Sequence, residues 1–396
     1  MTTLQQSKIC NVCGSTNVEV VFEAKYLPLT GLYIPLDTEV DPPRFDQALL
    51  YCGDCGHGQL RELIDPSTLY DDSYTHRTSG SSIAKHGNDF FFEVLKKITK
   101  NRLFDNILEV GCNDLYLLKK MRELTSNRIT GVDPIWEGKD HQLPDETKVL
   151  GRFVEDIATA ADEIGKPDLV VSAHTFEHVQ SLYEQLYQLV NMSANNAMFL
   201  IEVPSFETMV KTGRFDQVFH QHIQYLSCSS MLKLIDRLGC KYLGHTYNYS
   251  YWGGTVLFWF EKDINNSILG RSADFPQIGL KFVRGNYTSF RENLERSRDQ
   301  IIALEERVYG FGAAQMLPIL AYHMETDLSF MDAILDDNPE RANTRLPNVA
   351  PTIRQPMEED FADAAVMITA LDSTRAIMKR LLELKPRRIV SPLPII

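Results

Sequence analysis

Two short cysteine pairs constrain this chain more than any other feature. "CNVCGS" holds Cys10 and Cys13, and "YCGDCGHGQL" holds Cys52 and Cys55. Two such CxxC knuckles are the usual way to build a tetrahedral four-thiolate zinc site. Each is followed by a glycine, Gly14 or Gly56, which suits a turn around a metal thiolate. About 38 residues separate the knuckles, more than in common zinc ribbons, leaving room for a small strand insert such as "VEVVFEA". Four protein thiolates leave no position for a reacting water, so the expected zinc is structural. A segment of about 70 residues is marginal without such a staple. The rival reading, a CxxC redox pair, needs a thioredoxin-like context that the flanking sequence lacks. His57 reads as a neighbour of the site or a surface residue rather than a fifth ligand.

The remaining cysteines, Cys112, Cys228 and Cys240, are scattered singly. Paired cysteines kept for metal point to a reducing compartment. The first residues, MTTLQQSKICNVCG, lack a basic region followed by an apolar run, and no stretch approaches the ~18–20 apolar residues of a membrane span. The chain therefore reads as cytoplasmic, with no membrane partner. Its formal net charge of -13 disfavours non-specific nucleic-acid binding, which needs clustered cations. At 396 residues it is long enough for two or three domains.

Beyond "YDDSYTHRTSGSS" the pattern becomes alternating helices and strands. A helix is predicted over 83–99. Then follow "NILEVGCNDLYLLKKM", "NRITGVDPI", "PDLVVSAHTFEHV" and "NAMFLIEVPS", each with a short apolar run ending in polar or special residues. This predicts a doubly wound parallel sheet, in which ligands bind at the carboxyl ends of the strands. Glu109 and Gly111 close the first strand. Gly111 lets a ligand approach the backbone, and Asn113 and Asp114 can serve the next helix N-terminus. Asp133 ends the second strand, where a carboxylate commonly binds ribose hydroxyls. His174, Glu177 and His178 follow the next strand, with His174 and Glu177 expected, like Glu109, Gly111, Asn113 and Asp133, to bind a cofactor. An E-x-G turn followed by an acid at strand two resembles S-adenosylmethionine-dependent methyltransferases. A dinucleotide-binding domain would instead show G-x-G-x-x-G. Class-I methyltransferases usually carry further glycines where Asn113 and Leu115 stand.

In the last third, a long polar-faced helix over 281–306 precedes "RVYGFGAAQMLPILAYHM", read as strand, glycine turn and helix. "FMDAILDDNPERAN" adds a strand ending in Asp336 and Asp337, and "AVMITALDS" and "RRIVSPLPII" add two more. A structural α/β lid would show the same pattern. The expected fold class is α/β, in three parts: a four-cysteine zinc module (1–72), a class-I methyltransferase, Rossmann-like domain (73–262), and a helix with a second, smaller Rossmann-like domain (263–396).

The paired CxxC module, "LEVGCND", "EVPS", the histidine segment "VFHQHIQYLS", the double glycine of "YWGGT" and the turn "VYGFGAAQ" occur in that order. Together they resemble the nucleotide-sugar 3-C-methyltransferase family over essentially the whole chain. The resemblance implies S-adenosylmethionine as cofactor and a nucleotide-linked 4-keto deoxysugar as substrate, held between the central and C-terminal domains. It implies that a base removes the proton beside the keto carbon and that the enolate carbon attacks the sulfonium methyl. It places His222 on the family's catalytic histidine, with His220 as its neighbour. The chain is then an enzyme, a monomer or small homo-oligomer.

The departures from the family pattern cluster at the substrate end. The family's Tyr-His-Glu-His reads Phe219-His220-Gln221-His222 here. Upstream, Tyr74 matches the first of two family tyrosines, but His76 stands where the second, active-site tyrosine is expected. After the double glycine, Thr255-Val256-Leu257 lacks the usual arginine. Zinc ligands and Asp133 are intact, which favours altered substrate or chemistry over a dead enzyme. Transfer to oxygen or nitrogen, and a non-methylating relative such as an epimerase, are the alternatives. Taken singly, His86, His174, His178 and His245 read as structural groups, although His174 and His178 sit where a central strand ends. Trp252 can stack on a base or pack the core.

Overall fold

The computed structural model describes residues 5–38, 40–65, 69, 78–125, 127–139, 141–143, 145–263 and 275–394. The cysteine module is a small antiparallel sheet whose strands Val18–Leu27, Phe45–Cys52 and Gly58–Leu60 lie side by side. The "VEVVFEA" insert is the first of these. A fourth strand, Gln224–Tyr225, arrives from far down the chain and pairs with Gly58–Leu60. Gly58 makes the approach possible: a Cβ there would lie 2.9 Å from the Phe206 ring and 3.0 Å from Cβ of Tyr225.

The central sheet has a parallel core of Asn106–Val110, Arg128–Val132, Lys148–Leu150, Leu169–Ala173 and Met198–Pro204. Antiparallel strands finish both edges, Thr255–Lys262 and Cys240–Asn248 on one side and His141–Gln142 on the other. The sheet is thus mixed where a wholly parallel one was expected. Asn106–Val110 is buried at every position, as a strand covered on both faces must be, which explains its nearly unbroken apolar run. The predicted helix is Ser82–Thr99. The Ser81 side chain caps its first turn by accepting from Ala84 N, and Lys100 ends it in the left-handed conformation.

The C-terminal sheet contains Arg307–Phe311, Ala333–Leu335, Ala364–Ile368 and Arg388–Val390 in parallel. Its far edge is Ile34–Pro35, a strand lent by the cysteine module. The helix expected over 281–306 runs Leu280–Ile302.

The two Rossmann-like sheets share one local device. Asp133 ends the second strand of the central sheet; it accepts from Asn113 N at 2.8 Å and Ile135 N at 3.0 Å. Asp336 does the same in the C-terminal sheet, accepting from Ala313 N at 2.7 Å and Asn338 N at 2.9 Å. Each acid ties the turn after strand one to the turn after strand two. A single apolar cluster runs through all three parts, including Phe22 and Leu49, then Phe206, Phe215 and Tyr225, then Phe290, Ile334 and Met367. Strands and core both cross the expected boundaries. Among the described residues, no helix is long and apolar enough to cross a membrane.

Candidate functional site

A cavity of about 1160 Å³ lies at the carboxyl ends of the central strands, walled on its far side by Ala314, Gln315, Met316, Arg341 and Asp372 of the C-terminal domain. The first strand enters it through Glu109, Val110 and Gly111. Gly111 has φ +80°, and a Cβ there would meet Thr175 Oγ1 at 1.8 Å, so only glycine fits. Asn113 and Leu115 also hold positive φ, 42° and 70°. The turn therefore keeps the left-handed backbone that glycines would supply, although side chains make it costlier. Asn113 offsets part of this cost through its side chain, whose Oδ1 accepts from Thr78 N at 3.1 Å and Asp114 N at 2.9 Å. Its carbonyl accepts from Trp136 Nε1 at 2.8 Å.

Glu109 is buried, and one carboxylate oxygen, Oε2, has no partner. Burial, with the nearby charges of Asp133 and Asp114, pushes its pKa well above the carboxylate range. An unpaired buried acceptor beside a backbone that admits no Cβ fits a ligand carrying donors and an adenosyl group. Glu109, Gly111, Asn113 and Asp133 thus fall together along one wall.

The neighbouring strand, Leu169–Ala173, which pairs beside Asn106–Val110, leads into an imidazole cluster in the same cavity. His174 leaves its strand with φ 55°, and its Nδ1 lies 3.0 Å from Glu177 Oε1. Its ring stands edge-on to Tyr251, centroids 4.8 Å apart. His178 Nδ1 donates to the carbonyl of Gln221 at 2.8 Å, which leaves Nε2 4.0 Å from Glu177 Oε1. The His178 and His222 rings are 4.9 Å apart, and His222 packs on Phe219 at 4.2 Å. Glu177, His178 and His222 bring one ligand-type atom each within 4.8 Å of the others.

The electrostatics separate these groups. Burial alone would raise the Glu177 carboxyl, but the hydrogen bond from His174 and the charges of His174, His178 and His222 pull it down to about 2. Burial alone would lower His174, but the bond to Glu177 and the Glu177 and Glu202 charges raise it. Each shift favours the charged form of its group, so the geometry suits an ion pair with the carboxylate buried. His222 goes the other way: burial and the His178 charge lower it to about 3, against a smaller opposing pull from Glu177. It is a neutral imidazole at neutral pH.

His220 does not belong here. It is 3% exposed and turns away from the cavity, with Nε2 3.2 Å from the Leu27 carbonyl and Nδ1 3.4 Å from Gln47 Nε2. Burial lowers its pKa to about 4. The expectation of a catalytic neighbour fails because 219–222 is a turn, closed by His222 N donating to Phe219 O at 3.0 Å; the two rings diverge. Gln221 lines the cavity, and its Nε2 donates to Leu69 O at 3.1 Å. Tyr74 and His76 lie outside the described residues. His178, which the sequence left among structural histidines, stands beside His222; its only sequence signal was its place just beyond a central strand.

The double glycine packs near a different arginine, Arg214. Gly253 and Gly254 have φ +73° and +113°, and a Cβ on Gly253 would meet Arg214 Nη1 at 3.0 Å. Arg214 donates to both oxygens of Asp216 at 2.8 Å and, across the cleft, to Asp372 Oδ1 at 2.8 Å.

In the N-terminal module, Cys10 and Cys55 Sγ are 3.5 Å apart, as are Cys13 and Cys52. All four sulfurs lie within 4.8 Å of one another. Tetrahedral zinc with bonds of about 2.3 Å needs separations of this size. The four cysteines fit the structural zinc expected of them. His57 is fully buried, with Nε2 2.9 Å from Gln224 Oε1.

Comparison with known proteins matches residues 83–245 to a methyltransferase domain family and residues 10–70 to a zinc binding domain family. Among characterised proteins, the chain is similar to C-methyltransferase NovU of Streptomyces niveus. The two are 25% identical over 320 residues, 77% of this chain and 75% of the relative. Solved structures with partial likeness include N-methyltransferase NodS of Bradyrhizobium japonicum WM9 bound to S-adenosyl-L-homocysteine, at 13% identity, covering 48% of this chain and 92% of that one, with TM-score 0.34. Magnesium protoporphyrin IX methyltransferase of Synechocystis PCC 6803 matches at 10% identity, 46% and 84% coverage, and TM-score 0.34.

Proposed function

We propose that this methyltransferase, which has an N-terminal zinc module and is similar to a C-methyltransferase, methylates a carbon of a nucleotide-linked 4-keto deoxysugar. The observation that carries this reading is His222: a neutral imidazole facing the cavity, with a buried carboxylate, Glu177, beside it.

S-adenosylmethionine supplies a methyl group on a positively charged sulfur. Glu109, Gly111, Asn113 and Asp133, which line the cavity together, would hold it. A ring nitrogen of His222 takes the proton from the carbon beside the keto group, and the C–H electron pair becomes the enolate. The bound cofactor would supply its methyl to the enolate carbon, with the S–CH₃ electron pair kept by sulfur. The proton stays on His222, where the Glu177 carboxylate stabilises the imidazolium. Reacting atoms must be held about 3–3.5 Å apart, which a cavity closed by two domains can do. The carboxylate that Gln221 does not provide is thus replaced by Glu177, and this supports carbon transfer over transfer to oxygen or nitrogen. The C-terminal wall, with Arg341 and Ala314–Met316, suits the nucleotide diphosphate. A nucleotide-sugar substrate and thiolates reserved for zinc both suit the cytoplasm.

The test uses a dTDP-4-keto-6-deoxysugar in heavy water. The enzyme is expected to exchange the hydrogen beside the keto group for deuterium and, with S-adenosylmethionine, to place the methyl on that carbon. Absence of exchange together with a methylated oxygen would sink the carbon-transfer reading.

A further inference from the structure

No described residue ahead of Thr78 lines the cavity; the described part of the zinc module reaches it through other residues. Two elements carry the paired imidazoles, and both are attached to that module. The strand Gln224–Tyr225 begins two residues after His222 and pairs with Gly58–Leu60, which lies just beyond Cys55. Leu60 N also donates to Ile223 O at 2.9 Å, and Ile223 N donates to Glu177 O at 2.7 Å.

The Gln224 side chain joins the same parts a second time. Its Oε1 accepts from His57 Nε2 at 2.9 Å and from Asn11 Nδ2 at 3.3 Å. His57 is two residues past Cys55, and Asn11 follows Cys10. Its Nε2 donates to Val179 O at 2.7 Å and Gln180 O at 3.3 Å, directly after His178. An amide has two donor hydrogens and two acceptor lone pairs; here all four are used, two toward the zinc knuckles and two toward the His178 loop. Gln224 is 2% exposed, so water cannot replace these partners. A residue present only to fill the core would not need this division.

We propose that Gln224 is a positioning residue that couples the zinc knuckles to the placement of His178 and His222. The folded knuckles then set the geometry of the reaction site as well as the stability of their own module. This rests on His222 acting as the base.

The experiment compares Gln224→Leu, His57→Phe and the conservative His57→Gln with the parent enzyme. In each, zinc content, thermal stabilisation by S-adenosylhomocysteine, the imidazole ¹³Cε1 resonances of His178 and His222, and kcat with the keto sugar nucleotide are measured. Gln224→Leu and His57→Phe are expected to keep one zinc and the thermal shift. They should move both imidazole resonances and lower kcat by about tenfold to a hundredfold. His57→Gln, which retains an amide donor, should restore resonances and kcat toward the parent. Unchanged resonances in both disruptive variants would overturn the proposal, as would zinc loss and cofactor loss in step with activity. If the parent enzyme itself neither exchanges nor methylates the keto sugar, the functional reading fails, while the resonances still decide the coupling.

Discussion

Glu177 Oε1 sits 3.0 Å from Nδ1 of His174, with the carboxylate buried and the imidazole partly buried at the cavity. A buried pair of this kind costs desolvation and returns it only while both partners are charged. The Glu177 pKa is depressed, so its contribution is present above the unfolded value of about 4.3 and is lost as pH falls toward about 2. The His174 pKa is raised, so its contribution is full below about 6.5 and is lost as pH rises through the folded value. The stability difference between the parent and Glu177→Gln should therefore be widest between about pH 4.5 and 6.5. Thermal melts across pH 4–9 check this; a gap that does not vary with pH would mean His174 is not the charged partner.

His222→Asn removes the base without emptying much volume. It should abolish deuterium exchange and methyl transfer, by about a hundredfold or more, yet keep the S-adenosylhomocysteine thermal shift. His220→Asn, on the far side of the turn, should reduce stability more than it reduces exchange per folded molecule. Equal exchange in His222→Asn and the parent would remove His222 from the mechanism.

Gly111→Ala puts a methyl 1.8 Å from Thr175 Oγ1 at a left-handed residue. The backbone cost alone is about 1–2 kcal/mol. Affinity for S-adenosylmethionine, measured calorimetrically, should fall by at least about tenfold, the equivalent of about 1.4 kcal/mol. Asn113→Gly should be nearly neutral for stability, because relief at φ 42° is offset by the lost bonds to Thr78 N and Asp114 N.

Arg214→Met leaves Asp216, 1% exposed, as a buried charge without its guanidinium. The loss should be about 3–5 kcal/mol in denaturant melts. Asp372→Asn, at the more exposed end of the same arginine, should cost much less but raise KM for the nucleotide sugar, since it loosens the bridge across the cleft.

Much of this site was legible in the chain because the signals are local. Four thiolates in two knuckles need only short turns to meet, and Glu109, Gly111 and Asp133 are located by the strands they end. What escaped is set by long-range geometry. An i, i+2 pair such as His220 and His222 shares a face only in a strand, and nothing in "FHQH" announces the turn that separates them. His178 meets His222 across 44 positions because two loops pack together. The strand Gln224–Tyr225 is two residues long and has no periodicity to detect. Leu115, a non-glycine at φ 70°, breaks the local rule for such a turn and is held there by its buried side chain.

The strand exchange carries a consequence for how such a protein can be cut or recombined. The first part of the chain gives Ile34–Pro35 to the last sheet and takes Gln224–Tyr225 from the middle one. Deleting it would strip an edge from one neighbour and orphan a strand of the other. A gene fusion that trades the amino-terminal segment between homologues must therefore match two distant surfaces at once.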